Sequence, residues 1–85
     1  MKIGVAGSLE SNDALITVTE SDKIEISVKS IVYDFFHEQI EKVIIDTLEE
    51  LGVNKVSVLC EDKGALDYTI RARLITALIR MENKK

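Results

Sequence analysis

Between Ile24 and Lys29 the chain alternates strictly, with Ile24, Ile26 and Val28 set against Glu25, Ser27 and Lys29. A period of two puts the apolar side chains on one face of a strand and the polar ones on the other. Ala14 to Thr19 follows the same period, rich in β-branched residues and with Ala14, Ile16 and Val18 on one face. The polar reversal Glu20-Ser21-Asp22-Lys23 separates the two segments, which predicts a hairpin with one wet face. Val53 to Cys60 reads as a further strand, more buried than the hairpin, because Val56, Val58 and Cys60 share one face while Leu59 stands on the other. Ahead of these, Met1 to Gly7 carries Ile3, Val5 and Ala6 interrupted by Gly4 and Gly7, the pattern of a short or irregular edge strand.

From Ile31 the period lengthens. Val32, Phe35, Phe36, Ile40, Val43, Ile44, Thr47, Leu48 and Leu51 recur three and four residues apart, opposite Asp34, Glu38, Glu41, Lys42, Asp46, Glu49 and Glu50. That is one long amphipathic helix, with Gly52 placed for its C-terminal cap. Glu61-Asp62-Lys63-Gly64 breaks the third strong strand and caps a second helix, whose apolar positions are Leu66, Ile70, Leu74, Ala77, Leu78 and Met81, widened by Ile75 and Ile79. Asp67 in its first turn complements the helix dipole and can pair with Arg71 four residues on. The polar end, Glu82 to Lys85, is expected to fray. The order β-β-β-α-β-α predicts an α+β two-layer sandwich: a small, mostly antiparallel sheet covered on one face by two helices, as a single domain over residues 1–85. Strand order is left open.

At 85 residues the chain buries only a little over ~60% of its unfolded surface, so one core must suffice. Val, Ile and Leu dominate that core, tryptophan is absent, and Tyr and Phe number two each. No apolar run approaches the ~18 to 20 residues that span a bilayer, and no signal-peptide core follows Met1, so the chain reads as cytoplasmic with no membrane partner. Asp plus Glu (15) exceed Lys plus Arg (11) by four, which disfavours nucleic acid as a partner and suits docking onto a basic surface. Cys60 is alone, so neither an intrachain disulfide nor a Cys-rich metal site can be built, and it reads as a small buried strand residue.

The candidate chemistry narrows quickly. A triad could be written from Ser11, His37 and an Asp, but His37 falls on the polar side of the long helix and no Gly-x-Ser-x-Gly elbow exists. His37 therefore reads as a solvated helix histidine. One His, one Cys and scattered carboxylates show no metal-ligand spacing, and the four glycines stand too far apart for a phosphate loop or a dinucleotide fingerprint. Ser8 to Asp13 is turn-like, so Ser11 is expected in an exposed turn, on residue chemistry alone a turn or capping serine. Asp13 either orients Ser11 or fixes the turn. Gly64 and Asp67 read as helix-start residues. Lys63, Arg71, Arg73 and Arg80 make either a solvated helix face or a positive patch for phosphates or an acidic partner, the former being the simpler reading.

Two runs carry a resemblance. Ala6-Gly7-Ser8-Leu9-Glu10-Ser11-Asn12-Asp13 and Asp62-Lys63-Gly64-Ala65-Leu66-Asp67-Tyr68-Thr69-Ile70-Arg71-Ala72-Arg73-Leu74 are similar, in that order, to segments of the citrate lyase acyl carrier protein family, the gamma chain of that complex. The likeness spans nearly the whole chain, with a shorter lead-in and tail than the family's. It implies that Ser11, not Ser8, bears a covalently attached phosphoribosyl-dephospho-coenzyme A through a phosphodiester bond. A separate attachment enzyme would join it. The thiol arm would then shuttle acetyl and citryl thioesters between the transferase (alpha) and lyase (beta) subunits, which together cleave citrate to oxaloacetate and acetate. On this resemblance the chain is a carrier and not a catalyst, with no catalytic residue and no metal of its own. The carrier subunit of malonate decarboxylase bears the same kind of group, and a small regulatory or assembly module is the reading from another class.

Overall fold

The computed structural model describes residues 1–31 and 33–83, and the side chains of these except residues 33–36. The elements in chain order are β1 (Ile3–Gly7), β2 (Ala14–Glu20), β3 (Glu25–Ser30), α1 (Tyr33–Leu51), β4 (Val56–Asp62) and α2 (Asp67–Asn83). Together they make the α+β architecture anticipated, a four-stranded mixed sheet in the order β1-β2-β4-β3 with two helices.

β4 takes the interior of the sheet. Its side chains alternate between buried and half-buried along its whole length, so neither face is wet. It pairs antiparallel with β2, where Ile16 stands opposite Cys60 and Val18 opposite Val58, and parallel with β3, where Val28 stands opposite Cys60 and Ile26 opposite Val58. The expected β2–β3 hairpin therefore does not form. The chain leaving β2 passes the start of β4, where the Ser21 amide donates to the Lys55 carbonyl at 3.3 Å, and β3 lies on β4's far side. Alternation tells which face a strand buries and not which strand stands beside it. A strand buried on one face and half-buried on the other belongs in the middle, and the β3–α1–β4 crossover supplies the one parallel pair.

The hairpin that does form is β1–β2. Gly4 pairs with Val18 and Ala6 with Ile16, while Ile3 and Val5 face outward. The edge strand is thus regular, with the opposite phase to the one its larger side chains suggest. The cause is α2, which lies directly on it: a Cβ on Gly4 would sit 1.9 Å from the Ala77 carbonyl oxygen and 2.6 Å from the Met81 amide nitrogen. Small inward residues let helix backbone meet strand backbone.

α2 buries Ile70, Leu74, Ala77, Leu78 and Met81 as anticipated, but Leu66 precedes the helix and is exposed, and so is Ile79. α1 contributes Ile40, Ile44, Leu48 and Thr47, whose hydroxyl donates to the Val43 carbonyl at 2.7 Å and so is satisfied inside the core. Leu51, expected on that face, is exposed. The cap at Gly52 has the anticipated form: φ is 68°, with Val53 N–H bonded to Leu48 C=O at 2.9 Å and Gly52 N–H to Glu49 C=O at 3.1 Å. Val32, the Phe35 and Phe36 side chains and the chain end at Lys85 lie outside the described residues.

Three local expectations change. Glu61 and Asp62 continue β4 instead of ending it, and Glu82, expected to fray, is still helical. Asp67 and Arg71 do not pair with each other. The Gln39 amide donates to both Asp67 oxygens, at 3.0 and 3.1 Å, and Arg71 reaches Glu50, so both residues tie α2 to α1.

Candidate functional site

The β1–β2 connection, Ser8 to Asp13, closes through a bond from the Asp13 amide to the Glu10 carbonyl at 3.1 Å. Asn12 sits at φ 66°, which makes this a turn of the type II kind with Ser11 at its second position. Asparagine tolerates that left-handed conformation better than most side chains. Ser11 is exposed, and among the described residues no side chain is bonded to its hydroxyl.

Two residues on, Asp13 is fully engaged. Its Oδ2 accepts from Ser8 Oγ at 2.8 Å and its Oδ1 from the Ala14 amide at 2.7 Å. Arg73 on α2 adds a two-pronged contact, Nε to Oδ1 at 2.9 Å and Nη2 to Oδ2 at 3.2 Å. The Arg73 bond above all, then the Ser8 and Ala14 bonds, hold the Asp13 carboxyl down at about 2. Of the two roles open to Asp13, the structure assigns the fixing of the turn: its oxygens face Arg73, Ser8 and Ala14, not Ser11.

The turn is also pinned to the β4–α2 loop. Asn12 N–H donates to Lys63 C=O at 2.8 Å and Lys63 N–H to Asp13 C=O at 2.9 Å, which extends the β2–β4 ladder beyond its last strand pair. The two sequence runs singled out above therefore meet in space. Asp62 anchors the loop from beneath: buried, it accepts from Ser30 Oγ at 2.7 Å and from the Ala65 amide at 2.8 Å. Sequence reasoning passed over it as a strand breaker. The available signal was its spacing, an Asp three residues before an unpaired helix-entry amide. Gly64 takes φ 94°, with Asn12 Oδ1 only 3.6 Å from where its Cβ would stand. Beside this junction opens a groove of about 560 Å³, lined by Gln39 and Ile40 of α1 and by Asp62 and Gly64 to Tyr68.

The other candidates are occupied elsewhere. His37 Nε2 is 2.8 Å from Glu41 Oε1, one helical turn on, and the histidine is half-buried instead of fully solvated. Burial, with Asp62 and Glu61 nearby, pushes the Cys60 thiol up to about 12. Arg71 is bound to Glu50, Arg73 to Asp13, and Arg80 to the Val5 carbonyl at 2.8 Å. Lys63, of the four cations considered, makes no side-chain bond among the described residues. Among those residues no group of three His, Cys, Asp or Glu could hold a metal ion, and no helix is long and apolar enough to cross a membrane.

The small α+β domain thus leaves Ser11 exposed on a turn whose base is locked, and among the described residues no side chain is bonded to its hydroxyl. Comparisons with known proteins give the family. A family model described as malonate decarboxylase delta subunit (MdcD) matches residues 1–81. The chain is 45% identical over 80 residues to the citrate lyase acyl carrier protein of Treponema denticola, covering 94% of this chain and 92% of that relative. It is 54% identical over 78 residues to the protein of the same name in Streptococcus mutans, covering 89% and 76%. A third, from Albidiferax ferrireducens, is 49% identical over 82 residues, covering 94% and 84%. The chain belongs to the citrate lyase acyl carrier protein family.

Proposed function

We propose that this chain is the acyl carrier subunit of a cytoplasmic citrate lyase complex, and that Ser11 carries a phosphoribosyl-dephospho-coenzyme A group in phosphodiester linkage. The observation that carries the reading is the contrast within one turn: the Ser11 hydroxyl is exposed and bonded to nothing among the described residues, while Asp13 two residues away is locked by Arg73, Ser8 and Ala14. The site fits the group. An attachment enzyme can approach the exposed hydroxyl from solvent. The attached group supplies a terminal thiol as the acyl carrier.

The chain's own residues hold the anchor. Arg73 ties the turn to α2, the Asn12–Lys63–Asp13 bonds tie it to β4, and a firm anchor with a free arm suits visits to two neighbouring active sites. Catalysis then belongs to the transferase and lyase subunits, which are the partners proposed together with the attachment enzyme. The family model's description speaks for a malonate decarboxylase carrier as the second reading. The names of the relatives and the Gly64-Ala65-Leu66-Asp67 run favour citrate lyase.

Intact-mass analysis of the protein from a host actively splitting citrate tests this. An adduct of the mass of the coenzyme A derivative is expected, absent in Ser11→Ala. Unmodified protein from such a host, or an adduct that persists in Ser11→Ala, would overturn the assignment.

A further inference from the structure

We infer that the groove between α1 and the β4–α2 loop is a resting site for the neutral, thiol-bearing end of the arm carried on Ser11. This rests on the reading of Ser11 as the attachment point. The first observation is adjacency. Asn12, the residue after Ser11, is bonded through its amide to Lys63 and brings its side chain within 3.6 Å of the Gly64 Cβ position, and Gly64 is part of the groove wall. An arm rooted at Ser11 therefore starts beside the rim. A tethered group sampling a small volume reaches effective concentrations on the order of millimolar, so even weak affinity for a neighbouring groove populates it.

The second observation is chemical. Ile40, Ala65, Leu66 and Tyr68 provide apolar wall, and Leu66 and Tyr68 are 58% and 71% exposed although large. Gln39 is held by the Asp67 carboxylate through its Nε2, which leaves its carbonyl oxygen to accept from an amide N–H. Apolar wall with a few placed polar groups matches a chain of methylenes and amides ending in a thiol. It does not match phosphates. The carboxylates of Asp62 and Asp67 flank the same groove, so charge selects which part of the arm enters. Lys63, whose backbone is bonded to Asn12 and Asp13, brings a cation onto the loop that carries the groove wall.

The role follows from that geometry. A resting arm shields its thiol from solvent between transfers, and a partner subunit recovers it by competing for an end held only weakly. Because the groove is open to solvent on the side of Leu66 and Tyr68, release requires no rearrangement of the core.

The test uses the loaded protein, its adduct first confirmed by mass, against the bare chain. Loading is expected to shift the amide resonances of Gln39 and of residues 65–68, and to slow iodoacetamide alkylation of the arm thiol by about threefold or more relative to free coenzyme A. The chain's own thiol does not interfere, since Cys60 is buried and stays protonated. Leu66→Glu places a third carboxylate at the groove on an exposed residue outside the helix, so folding is untouched; it should return alkylation to the rate of free coenzyme A with the adduct mass still present. A loaded wild type that alkylates as fast as free coenzyme A, with no shifts at those residues, overturns the groove and leaves the carrier reading standing. Absence of any adduct on Ser11 removes the reading on which the groove depends.

Discussion

The two ends of the β1–β2 hairpin are held in opposite ways. Along its strand, β1 meets α2 through an absence: Gly4 offers no side chain, and the Ala77 carbonyl occupies the space one would need. At the turn, the chain is held by presence, with Asp13 collecting donors from Ser8, Ala14 and Arg73. Close packing of backbones admits almost no variation, because two rigid elements would have to part. A polar network holds its centre firmly and leaves the residues around it free. Ser11 lies between Glu10 and Asn12, whose backbones are bonded, and escapes both constraints.

Breaking the packed end should have the largest effect. In Gly4→Val the new side chain meets backbone atoms of Ala77 and Met81, which cannot rotate away, so α2 must lift from β1. Overpacking of this kind costs about 3 kcal/mol. Urea denaturation is expected to show a correspondingly lower midpoint, and a variant that keeps the wild-type midpoint would refute the direct helix-on-strand contact.

Breaking the polar end comes next. Asp13→Ala strands several donors at once and is expected to cost about 2 kcal/mol. The network also sets an acid limit. The Asp13 carboxyl is lowered from 3.8 to about 2, so its contribution is fully present above the ordinary value and is lost as pH falls from about 4 toward about 2. Asp13→Asn should remove that part of the pH dependence, flattening the urea midpoint between pH 4 and pH 2 relative to wild type. An unchanged acid profile would mean that the bond to Arg73 does not stabilise the ionised form. Arg73→Gln should weaken the turn in the same direction and to a smaller degree, as hydrogen exchange at the Asn12 and Asp13 amides would report.

These differences also explain what the sequence disclosed. The helix faces, the Gly52 cap and the inward sides of β2 and β4 were legible because each is set by local period, as in Ile16, Val18, Val56 and Val58. Strand neighbours were not, because Glu20 to Lys23 looks like a turn whether the next strand lies beside β2 or beyond β4. β1, expected to be short or irregular, is regular for a related reason: only the position of α2 reveals that Gly4 and Ala6 face in while the larger Ile3 and Val5 face out. At the site, the Ser11 turn was legible from Ser, Asn and Asp. The Asp13–Arg73 pair spans 60 positions, and the groove is made by three elements, so neither leaves a local pattern.

Ser30→Ala tests the junction beneath the turn at lower cost. It removes the hydroxyl that donates to buried Asp62 but leaves the Ala65 amide on the other oxygen, so about 1 kcal/mol is expected. The loss should appear with faster hydrogen exchange at Ala65. A larger loss, accompanied by exchange throughout β4, would show that Ser30 supports the sheet as a whole and not only the loop.

The smallest effect should come from Ser11→Ala, and that is its value. The hydroxyl is exposed and bonds to nothing among the described residues, so its removal should change stability by no more than about 0.5 kcal/mol, either way. The amide shifts of Asn12, Asp13 and Lys63 should barely move, since their bonds run through the backbone and through Asp13. A residue kept for structure would show the reverse, a measurable loss of stability and a disturbed turn. If Ser11→Ala unfolds at a distinctly lower urea concentration than wild type, the serine is part of the turn's support, and the contrast between a locked base and a free tip fails at the residue where it matters.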